Sequence, residues 1–94
     1  MKSSKEILSI NLRYIRKIYN LSQEKFAAKV GSSLVYINQL ENSKRNTSLE
    51  MLDKLTKGIN TNIDSKLNIT SSDLLKYDEN RITNYTRIDE VNIH

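Results

Sequence analysis

The sequence predicts an all-α fold of five short helices followed by a C-terminal tail. Apolar residues recur at the three- and four-residue spacing of amphipathic helices along most of the chain. A serine or threonine precedes each of these runs, where its side chain can cap a helix N-terminus. The 94 residues include no proline and only two glycines, so few positions interrupt a helix. This length predicts a single domain with one core.

The first helix is predicted over residues 4–19. Ser3 and Glu6 have the spacing of a capping box. The apolar side of the helix consists of Leu8, Leu12, Ile15 and Tyr19, with Ile18 beside them. Its polar side carries Arg13, Arg16 and Lys17. The pattern is that of an amphipathic helix packed on a core.

Two shorter helices follow, over residues 23–30 and 34–42. Ser22 is the expected cap of the first, and Gly31 suits a left-handed C-terminal position. Its apolar sector consists of Phe26, Ala27 and Val30. Ser32 or Ser33 caps the next helix, whose inward residues are Ile37 and Leu40. Its outer face consists of Val35, Asn38, Gln39 and Asn42, with Leu34 at the edge.

The rest of the chain predicts two more helices and a tail. Thr47 and Glu50 have capping-box spacing for a fourth helix, which carries Leu49, Leu52 and Leu55 and ends at Gly58. Residues 60–66 are polar and predict a loop. Thr70 or Ser71 caps a fifth helix with Leu74 and Leu75 inward. We expect a domain over residues 1–77, and the tail, residues 78–94, is compatible with a helix or a strand.

The charge is concentrated in the first part of the chain. Residues 1–57 contain eleven Lys or Arg and five Asp or Glu, a net charge of +6, whereas residues 58–94 carry −2. A basic surface favours a polyanionic partner, and nucleic acid ranks ahead of a membrane.

Several classes of protein are disfavoured. The sequence has no cysteine and one histidine, His94, and it lacks phosphate-binding and catalytic motifs. We therefore expect no enzyme activity, no cofactor and no metal site. No apolar stretch is long enough to cross a membrane, and the N-terminus does not resemble a signal peptide, so we expect a cytoplasmic protein.

Two short helices joined by a glycine-containing turn are typical of a helix-turn-helix. A major groove admits one helix, and its base edges match Asn and Gln amides, while Leu or Val can contact a thymine methyl. The weakly charged outer face of residues 34–42 has this chemistry.

The stretch "LSQEKFAAKVGSSLVYINQLENSKR" resembles the helix-turn-helix of the Cro/CI-type (XRE family) regulators. The matching positions are Leu21, Ser22, Gln23, Glu24, Phe26, Ala27, Gly31, Ile37, Leu40 and Glu41. With matches in the other helices, the resemblance covers about residues 8–75. It implies a five-helix, lambda-repressor-like DNA-binding domain. It also implies that Glu41 pairs with a basic residue of the first helix, for which Arg16 is the best candidate.

A narrower similarity is to the controller proteins of restriction–modification systems. They share Tyr36, Arg45, Asn46 and Ser48 with this chain.

The chain departs from the XRE family at three places. Ser43 replaces a common glycine, which implies a different path for the following loop. Leu34 and Val35 replace polar residues that often begin the recognition helix. Residues 60–66 resemble an insertion.

The site residues follow from this resemblance and from residue chemistry. The expected base contacts are Ser33, Leu34, Val35, Tyr36, Asn38 and Gln39. The expected phosphate contacts are Arg13, Lys17, Gln23, Asn42, Lys44, Arg45 and Asn46. The resemblance implies that Gln23 also braces a side chain of the recognition helix. Leu34 and Tyr36 keep an alternative role at the edge of the core.

A regulator of this kind is expected to act as a homodimer, because one helix reads only a few base pairs. The candidate dimer residues are Leu74, Tyr77, Ile82, Tyr85 and Ile88. Expected partners are double-stranded DNA, a second copy of the chain, and RNA polymerase or another regulatory protein. The alternative is an antitoxin or anti-repressor that binds another protein, which the acidic, aromatic-containing segment 77–94 motivates.

Overall fold

The computed structural model describes residues 2–77, and these form an all-α fold, as predicted. Its helices are α1 (Ser4–Ile18), α2 (Gln23–Val30), α3 (Leu34–Glu41), α4 (Leu49–Asn62) and α5 (Ser71–Leu74). The tail, residues 78–94, lies outside the described residues, and so do the candidate dimer residues Ile82, Tyr85 and Ile88.

The first three helices begin where their caps predict; α2 also ends as predicted, and α1 and α3 each end one residue early. The Ser3 hydroxyl accepts a hydrogen bond from the Glu6 amide, and the Glu6 carboxylate accepts one from the Ser3 amide, both at 3.3 Å. The carboxylate accepts a second bond, from the Ser3 hydroxyl at 3.1 Å, and the bonds from the Ser3 amide and hydroxyl lower the pKa of Glu6. Ser22 and Ser33 cap α2 and α3 through their hydroxyls. Gly31 ends α2 with φ +72°, in the left-handed conformation that glycine adopts at little cost.

Helix α4 differs from the prediction at both ends. Its N-cap is Ser48, whose hydroxyl accepts from the Met51 amide at 3.1 Å, and not Thr47. The helix continues past Gly58 to Asn62, so the predicted end at Gly58 is wrong. Leu49, expected on the apolar side, is 74% exposed.

Gly58 is required by packing rather than by helix termination. A Cβ atom at this position would lie 2.6 Å from the Cα atom of Val30. Glycine therefore lets α4 approach the backbone at the end of α2, and a local reading of the sequence cannot detect that neighbour.

The predicted loop at residues 60–66 is partly helical. Its first three residues complete α4, and Asn60 then holds the following connection. The Asn60 side chain donates to the Ile69 carbonyl at 2.8 Å and accepts from the Ile69 amide at 2.9 Å. Asp64 accepts a hydrogen bond from the Tyr19 hydroxyl at 2.7 Å. These bonds tie the segment to the rest of the domain.

Helix α5 is short and is capped by Thr70 in a capping box with Asp73. Leu74 is buried, as predicted, but Leu75 is 37% exposed, so its predicted inward position is wrong. Leu75 is the C-cap of this four-residue helix and lies outside it, and Leu74 is the residue of the helix that is buried in the core.

The core lies between α1, α2, α3 and α4 and is closed by α5. Twelve apolar side chains form it: Leu8, Leu12, Ile15, Phe26, Ala27, Val30, Ile37, Leu40, Leu52, Leu55, Ile59 and Leu74. Asn11 is buried among them, and its amide nitrogen donates to the carbonyls of Leu74 and Lys76 at 2.7 and 2.9 Å. These two bonds fix the end of α5 on α1.

Candidate nucleic-acid interface

The outer face of α3 projects from the domain. Ile37 and Leu40 are buried on its inner side, and Val35 is 65% exposed on the other. Asn38 is exposed, and Gln39 is half-buried. Leu34 is 46% exposed, so it does not close the core. The predicted division of α3 into a core side and an outer side is confirmed.

An ion pair with little solvent access anchors α3 to α1. Arg16 donates Nε to one carboxylate oxygen of Glu41 at 2.8 Å and Nη2 to the other at 2.9 Å. Its third nitrogen, Nη1, donates to the Leu21 carbonyl at 3.0 Å. The side chains of Arg16 and Glu41 are 12% and 2% exposed. The predicted pair is confirmed, and it joins α1, the turn before α2, and α3.

Gln23 connects this ion pair to the outer face of α3. Its Nε2 donates to Glu41 Oε1 at 3.1 Å, and its Oε1 accepts from Asn38 Nδ2 at 3.1 Å. Because a carboxylate only accepts, Glu41 fixes the direction of the Gln23 amide, and Gln23 in turn fixes that of Asn38. Gln23 therefore braces a recognition-helix side chain, as the family resemblance implied.

The same network continues to the end of α3. Asn42 Nδ2 donates to the Asn38 carbonyl at 2.9 Å and to Asn38 Oδ1 at 3.2 Å. Both polar ends of the Asn38 side chain are thus engaged within the protein. The chain of bonds from Arg16 to Asn42 holds this part of the face in one arrangement.

A second network occupies the other side of the face. Arg45 Nη1 donates to Gln39 Oε1 at 3.0 Å, and the guanidinium carbon of Arg45 lies 4.8 Å from the centroid of the Tyr36 ring. The Tyr36 and Thr47 hydroxyls are hydrogen-bonded at 2.8 Å. Thr47 was expected to cap α4. Its contact with Tyr36 is tertiary, and no local spacing could have shown it.

Ser43 occupies the position where the family often has glycine. Its φ is +58°, in the left-handed region, and its hydroxyl donates to the Ser9 hydroxyl at 3.0 Å. The backbone therefore takes the conformation that glycine favours, with a side-chain bond to α1 holding it there.

The remaining candidate phosphate contacts lie around these networks. Lys44 and Asn46 are exposed in the loop after α3. On α1, Arg13 is exposed one turn before Arg16, and Lys17 is half-buried directly after it. Ser33, a candidate base contact, is exposed while its hydroxyl accepts from the Tyr36 amide at 3.1 Å.

Two candidate dimer residues are described. Leu74 is 1% exposed and belongs to the monomer core, so its side chain is not available to a second copy. This corrects the expectation, which rested on hydrophobicity alone. Tyr77 is 44% exposed, and its ring centroid lies 5.5 Å from the Lys2 ammonium group.

Within residues 2–77, no group of three or more His, Cys, Asp or Glu side chains is placed to hold a metal ion. The helices of this part of the chain are too short or too polar to cross a membrane.

Two short helices, a left-handed glycine between them and an exposed second helix define a helix-turn-helix DNA-binding domain. The helix-turn-helix family model matches residues 12–66, and the chain belongs to this family of DNA-binding transcription regulators.

Two curated relatives are control proteins. The chain is 44% identical to control protein C.SmaI of Serratia marcescens over 59 residues, which are 63% of this chain and 70% of that protein. It is 45% identical to control protein C.MunI of a Mycoplasma species over 40 residues, 43% of this chain and 54% of that protein. No solved structure matches the chain.

Proposed function

We propose that this protein is a sequence-specific regulator of transcription that binds double-stranded DNA as a homodimer. The observation that carries the proposal is the outer face of α3, which is exposed and held by hydrogen bonds to Gln23 and Arg45. A face arranged in advance loses little side-chain entropy on binding. Membership of the helix-turn-helix family supports the same function.

The contacts follow from the position of each side chain. Val35 lies at the centre of the exposed face and suits a thymine methyl group, and Gln39, about 40° further round the helix, suits a base edge. The other base contacts are proposed at Ser33, Leu34, Tyr36 and Asn38. Phosphate contacts are proposed at Arg13, Lys17, Gln23, Asn42, Lys44 and Asn46.

The operator is proposed to be roughly palindromic. One recognition helix reads only a few base pairs, and two copies related by a two-fold axis read half-sites about 10 base pairs apart or a multiple of that. Exposed Tyr77, together with the tail that follows it, is the proposed dimer region. Regulation through RNA polymerase or another regulatory protein fits such a dimer.

The biological role we propose is that of a controller protein in a restriction–modification system. The support comes from the similarity to the control proteins C.SmaI and C.MunI. The Tyr36 and Arg45 positions, shared with such controllers in sequence, are in contact with each other here. We assign no catalytic role or cofactor, and we place the protein in the cytoplasm, where its DNA is accessible.

The test is a selection from randomised duplexes with purified full-length protein, followed by affinity measurements over a range of salt concentrations. If six to eight phosphates are neutralised per dimer, the logarithm of affinity falls with that of salt with a slope of about −5 to −7. Light scattering should show two chains per selected duplex. A slope near zero, or recovery of no sequence, contradicts the proposal.

The alternative, a module that mainly binds another protein, rests on the acidic tail outside the described residues. No contact among residues 2–77 favours it. Deleting residues 78–94 distinguishes the DNA-binding regulator from the protein-binding module. A regulator that dimerises through its tail loses dimerisation and operator affinity together. If both persist, the tail serves another partner.

A further inference from the structure

The two amide side chains best placed for base contact, Asn38 and Gln39, differ in what they can offer to DNA. A bidentate contact with adenine needs one donor and one acceptor from the same amide. The Asn38 amide donates to Gln23 and accepts from Asn42. Each of these atoms keeps a second N–H or lone pair, but the two bonds hold the amide toward Gln23 and Asn42, so Asn38 is better suited to positioning than to reading adenine.

In Gln39, the donor group Nε2 is the part of the amide that remains available for a base. Its Oε1 accepts from Arg45, and arginine has no acceptor, so the direction of the Gln39 amide is fixed by chemistry. The Nε2 group, with two N–H donors, takes no part in this bond. Next to it, the Arg45 guanidinium adds further donors, and together the two side chains form a donor-rich pair.

The Arg45 guanidinium is held more firmly than a phosphate contact requires. It lies over the Tyr36 ring at 4.8 Å, and Tyr36 is fixed in turn through the Thr47 hydroxyl. Stacking and one hydrogen bond define the plane of the guanidinium while leaving other N–H groups unused by these contacts. An exposed lysine gives phosphate affinity without such order, and Lys44 is adjacent.

We infer that Arg45 and Gln39 act as one donor pair that reads a guanine in each half-site, with Tyr36 as the positioning residue. Guanine is the base that presents two acceptors, O6 and N7, in the major groove, and arginine is its commonest partner. Arg45 is thereby a specificity-determining residue and not a phosphate contact, which revises its sequence-based assignment. The inference rests on the proposed function.

The test uses full-length protein and the duplex selected in the experiment above. Each guanine is replaced in turn by 7-deazaguanine, which lacks the N7 acceptor, and the dissociation constant is measured. Wild-type affinity should fall roughly tenfold at one position per half-site, the effect expected for losing one hydrogen bond from a charged donor while O6 remains. Arg45→Ala, which removes every donor at this position, should lose the ability to distinguish guanine from 7-deazaguanine there, and Tyr36→Leu should weaken this discrimination.

Lys44→Ala is the matched control, since it removes the neighbouring cation. It should weaken all duplexes by a similar factor and keep the 7-deazaguanine profile of the wild type. The inference is overturned if Arg45→Ala behaves in the same way, or if no guanine position affects the wild type. Either of these two results would overturn the inference while the protein still bound its selected duplex specifically, so the proposed function would stand. If the wild type selects no sequence at all, the proposed function fails, and the inference fails with it.

Discussion

Arg16 and Glu41 lie 25 residues apart and form a bidentate ion pair, with bonds of 2.8 and 2.9 Å, at the junction of α1 and α3. The pair sets the position of α3, and Gln23 extends it to Asn38 on the outer face of that helix. A structural ion pair is therefore the first part of a chain of contacts that ends on the proposed interface.

Arg16→Ala should lower the free energy of unfolding by about 3–5 kcal/mol, because it leaves the Glu41 carboxylate buried without its cation. Urea unfolding followed by circular dichroism measures the change. Arg13→Ala, one turn away and exposed, is the control and should change stability by less than about 0.5 kcal/mol. Equal effects from the two variants contradict a special role for the pair.

Gln23→Glu keeps the shape of the side chain but replaces its donor with an oxygen that faces Glu41. We expect a loss of about 1–3 kcal/mol at neutral pH, since a buried bond becomes a repulsion. The repulsion raises the pKa of the new carboxyl, so stability should recover as the pH falls and that group is protonated. Gln39→Glu is the control. Its acceptor already faces Arg45, so unfolding curves at pH 7 and pH 5 should show no comparable recovery.

Gly58→Ala should destabilise the fold by about 1–3 kcal/mol, the usual effect of overpacking, although alanine is the better helix former. The reason is the 2.6 Å approach of the new Cβ to the Val30 Cα atom. Thr61→Ala, on the exposed surface of the same helix, tests the propensity effect alone and should be neutral or stabilising. A rise in melting temperature for Gly58→Ala would show that the α2–α4 contact yields easily.

Tyr19→Phe should make stability less dependent on pH. The hydrogen bond from Tyr19 lowers the pKa of Asp64 in the folded protein. The stability that this bond adds is therefore present above the unfolded pKa of about 3.8, and it is lost as the pH falls through the lower folded pKa. Burial, then the Asp64 bond, raises the pKa of Tyr19 to about 12, and this contribution is present below about pH 10 and is lost as the pH rises toward 12.

The variant should therefore be less stable than the wild type at pH 7, and the difference should shrink in acid. Denaturation at pH 7 and near pH 3 measures this, and an NMR titration should show the Asp64 pKa rising in the variant. Tyr77→Phe, at an exposed position, is the control. A deficit that is the same at both pH values would mean that the Tyr19–Asp64 bond does not favour the charged carboxylate.

The parts of the fold that sequence predicts well are those that local chemistry decides. The Ser3–Glu6 box, the Ser22 cap and Gly31 act within a few residues of one helix end. The predicted helix end at Gly58 and the predicted cap at Thr47 were wrong because each residue interacts with a distant neighbour. Gly58 packs against Val30, and Thr47 is hydrogen-bonded to Tyr36. Periodicity found the outer face of α3, but it did not show that Asn38 is engaged internally.

The buried Asn11 side chain, by holding the carbonyls of Leu74 and Lys76, ties the end of the described residues to α1. A foreign element joined directly after Tyr77 therefore starts from an anchored point of the domain, which makes this position a rational junction for chimeras. A dimerisation helix grafted there, with spacers that differ by single residues, offers a way to vary the half-site separation that the proposed dimer would accept.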